Sequence, residues 1–169
     1  MSENFEIIVR QPFDSEMDGV YLAGFDTWAD KISKDEYLQD CRSSTKYKQG
    51  EWWIADCDGR VGSGLITYRN VFGLAPGCVG IGSVATPPEF RGRGHASHLI
   101  KQVLEMKKNA LDVAVFLFSE VKPEFYEKLG FVVLPIDLQK YPDSKCMVKC
   151  NRETLIAIKS GHVQTPRYF

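Results

Sequence analysis

Between Ser83 and Ser97 the sequence reads SVATPPEFRGRGHAS, with two arginines alternating with two glycines just ahead of a helical stretch. The first turn of a helix has backbone N–H groups with no acceptor inside the helix, and it carries a partial positive charge. A diphosphate placed there gains several charge-assisted hydrogen bonds. Gly92, Gly94 and Ala96 would let such an anion approach the backbone closely, and Arg91 and Arg93 add positive charge beside it. Taken alone, RGRG also suits a plain tight turn between strand and helix, and the residues leave both readings open. Two other phosphate loops are excluded. A P-loop needs Lys and then Ser or Thr after its second glycine, where His95-Ala96 stands here. A dinucleotide fingerprint needs a third glycine, where Gly92-x-Gly94-x-x-Ser97 has serine.

Periodicity predicts the elements that must position this turn. Phe5 to Arg10 reads as a strand. A helix follows, capped by Asp14 or Ser15, with Met17, Val20, Tyr21, Gly24, Phe25 and Trp28 on one face. Ser33-Lys34-Asp35-Glu36 is a capping box and opens a second helix through Cys41. Glu51 to Asp56 and Val61 to Tyr68 read as a hairpin closed by Asp58-Gly59, and Cys78 to Thr86 as a further strand ended by Pro87-Pro88. From Gly94 onward Ala96, Leu99, Ile100, Val103 and Leu104 keep helical spacing without a break. Val113 to Phe118 is apolar throughout, as in a strand covered on both faces. Pro123 starts a short helix that Gly130 ends. Phe131 to Leu134 and Lys145 to Cys150 read as strands, and Arg152 to Lys159 as a helix. The order predicts an α/β sandwich with a mixed sheet, as one domain over 1–169 with 151–169 as a C-terminal extension.

Bulk properties narrow the function classes. Hydrophobic residues make up 44% and charged residues 25%, the balance of an ordinary globule with a sizeable core. A formal net charge of -1 argues against a broad nucleic-acid-binding surface. No apolar run is long enough to cross a bilayer, and Met1 to Asn4 lacks the basic start of a secretion signal. The five cysteines are scattered with no CxxC pair, which reads as reduced, mostly buried thiols in a cytoplasmic protein. The three histidines do not pair with cysteines at zinc-site spacings, so no metal is expected.

The segment resembles motif A of the GNAT superfamily of N-acetyltransferases, whose pattern is Gln/Arg-x-x-Gly-x-Gly/Ala. Arg91, Gly94 and Ala96 fill its fixed positions. FYEKLGF, from Phe125 to Phe131, is similar to the family's motif B, and the element order is also the GNAT order. The resemblance implies a mixed central sheet of about six to seven strands flanked by helices. It implies acetyl-CoA as the cofactor. The backbone of Val84 and Thr86 would pair with the pantetheine arm, and the N–H groups from Arg93 to Ala96 would hold the pyrophosphate, with Arg91, Gly92 and Ser97 completing the loop. The strands around Val84 and Val113 to Phe118 would splay apart to admit the cofactor.

For the chemistry, the resemblance implies Val84 N–H as the oxyanion donor and Tyr126 as the acid that protonates the departing thiolate. Ser119 stands where the family often has an asparagine, and a serine there can still bond to the cofactor. Many family members use a glutamate on the strand leading into motif A. Gly80, Ile81, Gly82 and Ser83 stand there, with no carboxylate. Glu120 is the nearest alternative base, Asp26 and Asp30 could also approach the substrate, and a water chain or an amine arriving neutral needs no dedicated base.

The acceptor usually lies between the first two helices and the loop joining the last strands. In this chain those pieces hold Asp26, Asp30, Asp35, Asp137 and Asp143 with Trp28 and Tyr141, a set that suits a cationic amine. Trp28, Asp26 and Asp30 are the candidate substrate-binding residues. The phrases SVATPPEFRGRGHAS and LFSEVKPEFYEKLGF are also similar to the catalytic half of fungal lysine N-acetyltransferases and related small bacterial GNATs. The favoured acceptor is a small primary amine, such as an amino acid or polyamine. Acetylation of a protein lysine or N-terminus is the runner-up, and a non-catalytic acyl-CoA-binding sensor is the alternative outside the enzyme class. No membrane or nucleic-acid partner is expected, and a homodimer is allowed.

Overall fold

The computed structural model describes residues 6–106, 108–109 and 112–169. Its strands are β1 (Ile7–Arg10), β2 (Glu51–Cys57), β3 (Arg60–Arg69), β4 (Cys78–Ala85), β5 (Ala114–Ser119), β6 (Val132–Val133) and β7 (Lys145–Cys150). They hydrogen-bond in the order β1-β2-β3-β4-β5-β7-β6. The sheet is mixed, as expected. β1 runs antiparallel to β2 with Ile7 opposite Cys57, and β4 runs parallel to β5 with Cys78 opposite Ala114. β7 runs antiparallel to both β5 and β6. The helices are α1 (Met17–Leu22), α2 (Phe25–Trp28), α3 (Lys34–Ser43), α4 (His95–Met106), α5 (Glu124–Glu127) and α6 (Arg152–Lys159). Among the described residues, no helix is long and apolar enough to cross a membrane.

The described residues fall into two compact units. One runs to Ile66 and resumes from Ser83 through α4, and the other comprises Thr67–Gly82 and the residues from Lys108 onward.

In the first unit the local signals act as read. Ser33 Oγ accepts from Glu36 N–H at 3.2 Å, and the Ser33 N–H donates back to Glu36 at 2.9 Å, so the capping box opens α3. Asp58 and Gly59 take φ of 51° and 78°, the left-handed pair that a two-residue hairpin turn requires. The long first helix differs from expectation. A 3-10 turn at Asp14–Glu16 leads into α1, and a break at Ala23 and Gly24 separates α1 from α2. Neither Asp14 nor Ser15 caps it. The Glu16 carboxylate, held by Arg10 at 2.7 Å, instead accepts the Phe13 N–H at 2.8 Å. At the break the Trp28 ring lies over Gly24, where a Cβ would come within 2.1 Å of ring carbons. Ala29, Tyr37 and Cys41 are buried among Tyr21, Leu22, Phe25, Ile32 and Tyr47, which joins the three helices. On α4 the predicted apolar stripe faces inward, with Leu99, Ile100 and Val103 fully buried.

In the second unit β5 pairs with β7 over its whole length, from Ala114 opposite Cys150 to Ser119 opposite Lys145. The strand begins and ends one residue later than predicted, and Val113 instead donates its N–H to Gly77 O at 2.9 Å. Gly130, at φ 91°, closes α5 as expected, and the Phe131 N–H returns to Tyr126 O at 3.2 Å. Asn151 caps α6 by accepting from Thr154 N–H at 2.8 Å. Past α6 the chain is held down: Arg167 N–H donates to Phe72 O at 2.7 Å, and Phe169 is buried.

Candidate active site

The motif A residues lie in the first unit, at the end of β4 and the start of α4. Ser83 sits inside the strand at φ 47°, a left-handed conformation that costs an L-residue about 1–2 kcal/mol. Its hydroxyl donates to the Tyr47 phenol oxygen at 3.3 Å, which helps to hold it there. Burial holds the Tyr47 phenol above its usual range, so it stays protonated. A left-handed residue inside a strand breaks the pleat and re-aims the neighbouring peptides, here those flanking Val84. Next, the fully buried Ser63 hydroxyl donates to Ala85 O at 3.0 Å and lies 3.0 Å from Thr86 Oγ1.

Arg91 ties the loop together. Its Nε donates to Thr86 O at 2.8 Å, and its two terminal nitrogens each donate to the Asp26 carboxylate at 2.8 Å. Asp26 is therefore paired with a loop cation, and the Arg91 hydrogen bonds are the main cause holding its carboxyl below the usual range. Asp26, a candidate acceptor-binding residue, thus stands beside the loop arginine Arg91. Between Thr86 and Arg91, Pro88–Phe90 form a 3-10 turn with Phe90 buried. The guanidinium carbons of Arg60 and Arg93 lie 4.6 and 6.0 Å from the centre of the Phe90 ring. Arg93 has no ion-pair partner among the described residues.

Gly92 and Gly94 take φ of 73° and 78°, and a Cβ built on either meets nothing within 4 Å. The first intrahelical bond of α4 runs from His98 N–H to Gly94 O at 2.9 Å. The N–H groups of His95, Ala96 and Ser97 thus precede the helix's own acceptors, next to the open space at the glycines. The His95 side chain points elsewhere. Its Nδ1 lies 3.1 Å from Cys57 Sγ, and its ring meets Phe90 edge-on at 5.6 Å. Burial first, and then the charges of Arg93 and His98, lower its pKa, so the ring is neutral at neutral pH. His95 can serve an anion through its backbone alone. This arrangement fits a diphosphate: free donors, open space and an unpaired arginine.

The same unit has a cavity of about 560 Å³ lined in part by Phe25, Asp26, Lys34, Arg60 and Phe90. Trp28 is 36% exposed with its ring over Gly24. Asp30 is exposed at φ 37° and has no hydrogen-bond partner among the described residues.

The remaining candidates lie in the second unit, at the end of β5 and on α5. Tyr126 is buried, packed edge-on against Phe125 at 4.9 Å. Burial and, secondarily, the charge of Glu120 push its phenol up to about 12. Its hydroxyl has no hydrogen-bond partner among the described residues. The buried Ser119 hydroxyl donates to Val121 O at 2.8 Å, so only its acceptor lone pairs remain for any ligand. Glu120 is exposed and accepts a hydrogen bond from the Tyr168 phenol. Sequence reasoning missed the Ser83–Tyr47, Ser63–Thr86 and Glu120–Tyr168 contacts. The first two carry no local signal. The aromatic pair Tyr168-Phe169 was the visible hint of the third.

Comparisons with known proteins bear on the family and the fold. A family model described as an acetyltransferase (GNAT) domain matches residues 48–133. The chain matches none of the curated proteins with which it was compared. Among solved structures, the GNAT family N-acetyltransferase YhbS from Escherichia coli, crystallised with CoA, is similar with a TM-score of 0.69 and 18% identity, covering 100% of this chain and 93% of that one. The PaiA N-acetyltransferase of Thermoplasma acidophilum, in complex with coenzyme A, gives a TM-score of 0.65 at 13% identity over 86% of this chain and 99% of that one. A GNAT family acetyltransferase from Brucella melitensis, in complex with acetyl-CoA, gives 0.57 at 20% identity over 85% and 88%. With the family model spanning more than half of the sequence, the chain belongs to the GNAT acetyltransferase family and is an acyltransferase.

Proposed function

We propose that this enzyme moves an acetyl group from acetyl-CoA to the nitrogen of a small primary amine, such as an amino acid or polyamine. What chiefly supports the cofactor is the pair of left-handed glycines, Gly92 and Gly94, with open space above them at the start of α4. Backbone N–H groups from Arg93 to Ala96 bind the pyrophosphate, and Arg93 adds charge. Gly92 and Ser97 line the same turn. Arg91 holds the loop in shape through Thr86 and Asp26. The backbone of Val84 and Thr86 binds the pantetheine arm, and Val84 N–H donates to the carbonyl oxygen as charge builds there.

Bound acetyl-CoA supplies the acetyl group as a thioester whose sulfur leaves as the carbon–nitrogen bond forms. Glu120 receives the proton that the nitrogen gives up. Tyr126 holds a proton against the charge developing on sulfur. A phenol near 12 is a weaker acid than a thiol near 8.5. Tyr126 therefore donates a hydrogen bond to the leaving thiolate. Glu120 releases the proton taken from nitrogen to solvent, and the thiolate takes one proton from solvent, so the exchange balances. Trp28, Asp26 and Asp30 are the acceptor-binding candidates, with Asp26 also joined to Arg91.

The test is thermal stability with acetyl-CoA, CoA, ATP and NAD added separately. A ligand at about a hundred times its Kd adds roughly 2.7 kcal/mol. A shift with the two CoA species alone supports the cofactor, and a thiol-release screen over amines then identifies the acceptor. Absence of any CoA shift refutes the reading. A CoA shift with no amine-dependent thiol release favours a binding-only role.

A further inference from the structure

The residues past α6 end in a tightly anchored aromatic cluster within the second unit. Lys140 Nζ donates to Thr165 O at 3.1 Å, Arg167 N–H to Phe72 O at 2.7 Å, and Tyr168 N–H to the Tyr141 phenol oxygen at 3.0 Å. The Phe169 ring fills the space beside Gly80, where a Cβ would come within 2.7 Å of it. Phe118 of β5 meets the rings of Tyr168 and Phe169, each at 5.2 Å, and Tyr141 meets Tyr168 at 5.6 Å. From this anchored position the Tyr168 phenol donates to Glu120 Oε1. Glu120 is otherwise an exposed side chain just past a strand end. A lone exposed glutamate samples many rotamers.

We infer that Tyr168 is a positioning residue for the acetyl-transfer reaction, holding the Glu120 carboxylate in one rotamer. Oε1 is engaged by the phenol. Oε2, which has no hydrogen-bond partner among the described residues, is the atom that takes the proton from the acceptor nitrogen. Glycine at position 80 and the anchored segment 165–169 are linked through this device. A side chain on the strand would displace the Phe169 ring, and with it the neighbour that aims Glu120. The inference rests on the proposed role of Glu120 as the base.

The experiment is a double-mutant cycle on kcat with saturating acetyl-CoA and either L-lysine or spermidine, whichever is acetylated faster. Glu120→Gln should lower kcat by about a hundredfold or more, within the range for general-base removal. Tyr168→Phe should lower it about tenfold with the KM for acetyl-CoA unchanged, and the double variant should be no slower than Glu120→Gln alone. In the protein without ligands, the carboxyl carbon resonance of Glu120 should move on Tyr168→Phe. Losses that multiply in the double variant, a wild-type kcat for Tyr168→Phe, or an unmoved resonance would overturn the inference while leaving Glu120 as the base. A wild-type kcat for Glu120→Gln overturns the base assignment and the inference together. If Tyr168→Phe does not fold, Tyr141→Phe, which removes the acceptor for the Tyr168 N–H, decides by the same readouts. Where neither amine is a substrate, the resonance alone decides.

Discussion

Arg91 and Asp26, 65 residues apart in sequence, share two parallel hydrogen bonds of 2.8 Å, and the third Arg91 bond, to Thr86 O, closes the loop that leads into α4. The pair joins a motif arginine to a helix carboxylate, two residues proposed to face different ligands. Both side chains are more than 40% exposed, so the pair contributes at most about 1 kcal/mol to stability. Asp26→Asn should therefore leave the melting temperature almost unchanged. If Asp26 binds the acceptor, the same change should raise the KM for the amine about tenfold. Steady-state kinetics checks this, and an unchanged KM would leave Asp26 with the loop alone. Arg91→Met should weaken acetyl-CoA binding about tenfold by loosening the loop, read by calorimetric titration.

Gly94 stands at φ 78° with no atom near its missing Cβ. Gly94→Ala should cost stability through backbone strain alone, about 1 kcal/mol, measured by denaturant unfolding. Gly94→Asp adds a negative charge where the diphosphate is proposed to sit, and should lower acetyl-CoA affinity at least a hundredfold. Unchanged affinity in the aspartate variant would remove the pyrophosphate from this turn.

Tyr126→Phe should reduce kcat by about one to two orders of magnitude and leave the Kd for CoA within twofold. The phenol is held up to about 12 by burial and then by Glu120. It is protonated below that value, so Tyr126 should contribute no loss of activity as pH rises from 7 to 10. Loss of its proton would begin only as pH climbs toward 12. A basic limb near 8 that vanishes in Tyr126→Phe would show that the phenol titrates much lower during turnover.

Glu16 links Arg10 to the first turn ahead of α1. Its hydrogen bond with Arg10 is the largest cause lowering its pKa from 4.5 to about 2. A carboxyl depressed by folding stabilises the folded state above its unfolded value, and that stabilisation fades as pH falls through the folded one. The wild type should therefore lose stability between pH 4.5 and about 2, and Glu16→Gln should show a flatter profile across that window. Denaturant unfolding at stepped pH tests it. Parallel profiles for the two proteins would mean that other carboxylates set the acid limit.

How much was legible in the sequence divides along the range of the interactions. The hairpin at Asp58-Gly59, the capping box at Ser33 and Glu36, the α4 stripe and the glycines before it depend on neighbours a few residues away. Composition and spacing alone determined them, because backbone sterics and helix periodicity act locally. Position 83 is a serine, whose side chain gives no warning of a left-handed φ, and Tyr47, far away in sequence, helps to keep it there. Asp26 read as a free carboxylate because its partner Arg91 is brought to it by folding. Glu120 read as an isolated one because Tyr168 reaches it only after the chain past α6 has packed against Gly80 and Phe118. Residue type and local period therefore determined the elements and the glycine-rich turn ahead of α4. The tertiary structure decided which charges pair and which carboxylate accepts a phenol hydrogen bond, because those contacts form only when segments distant in sequence come together.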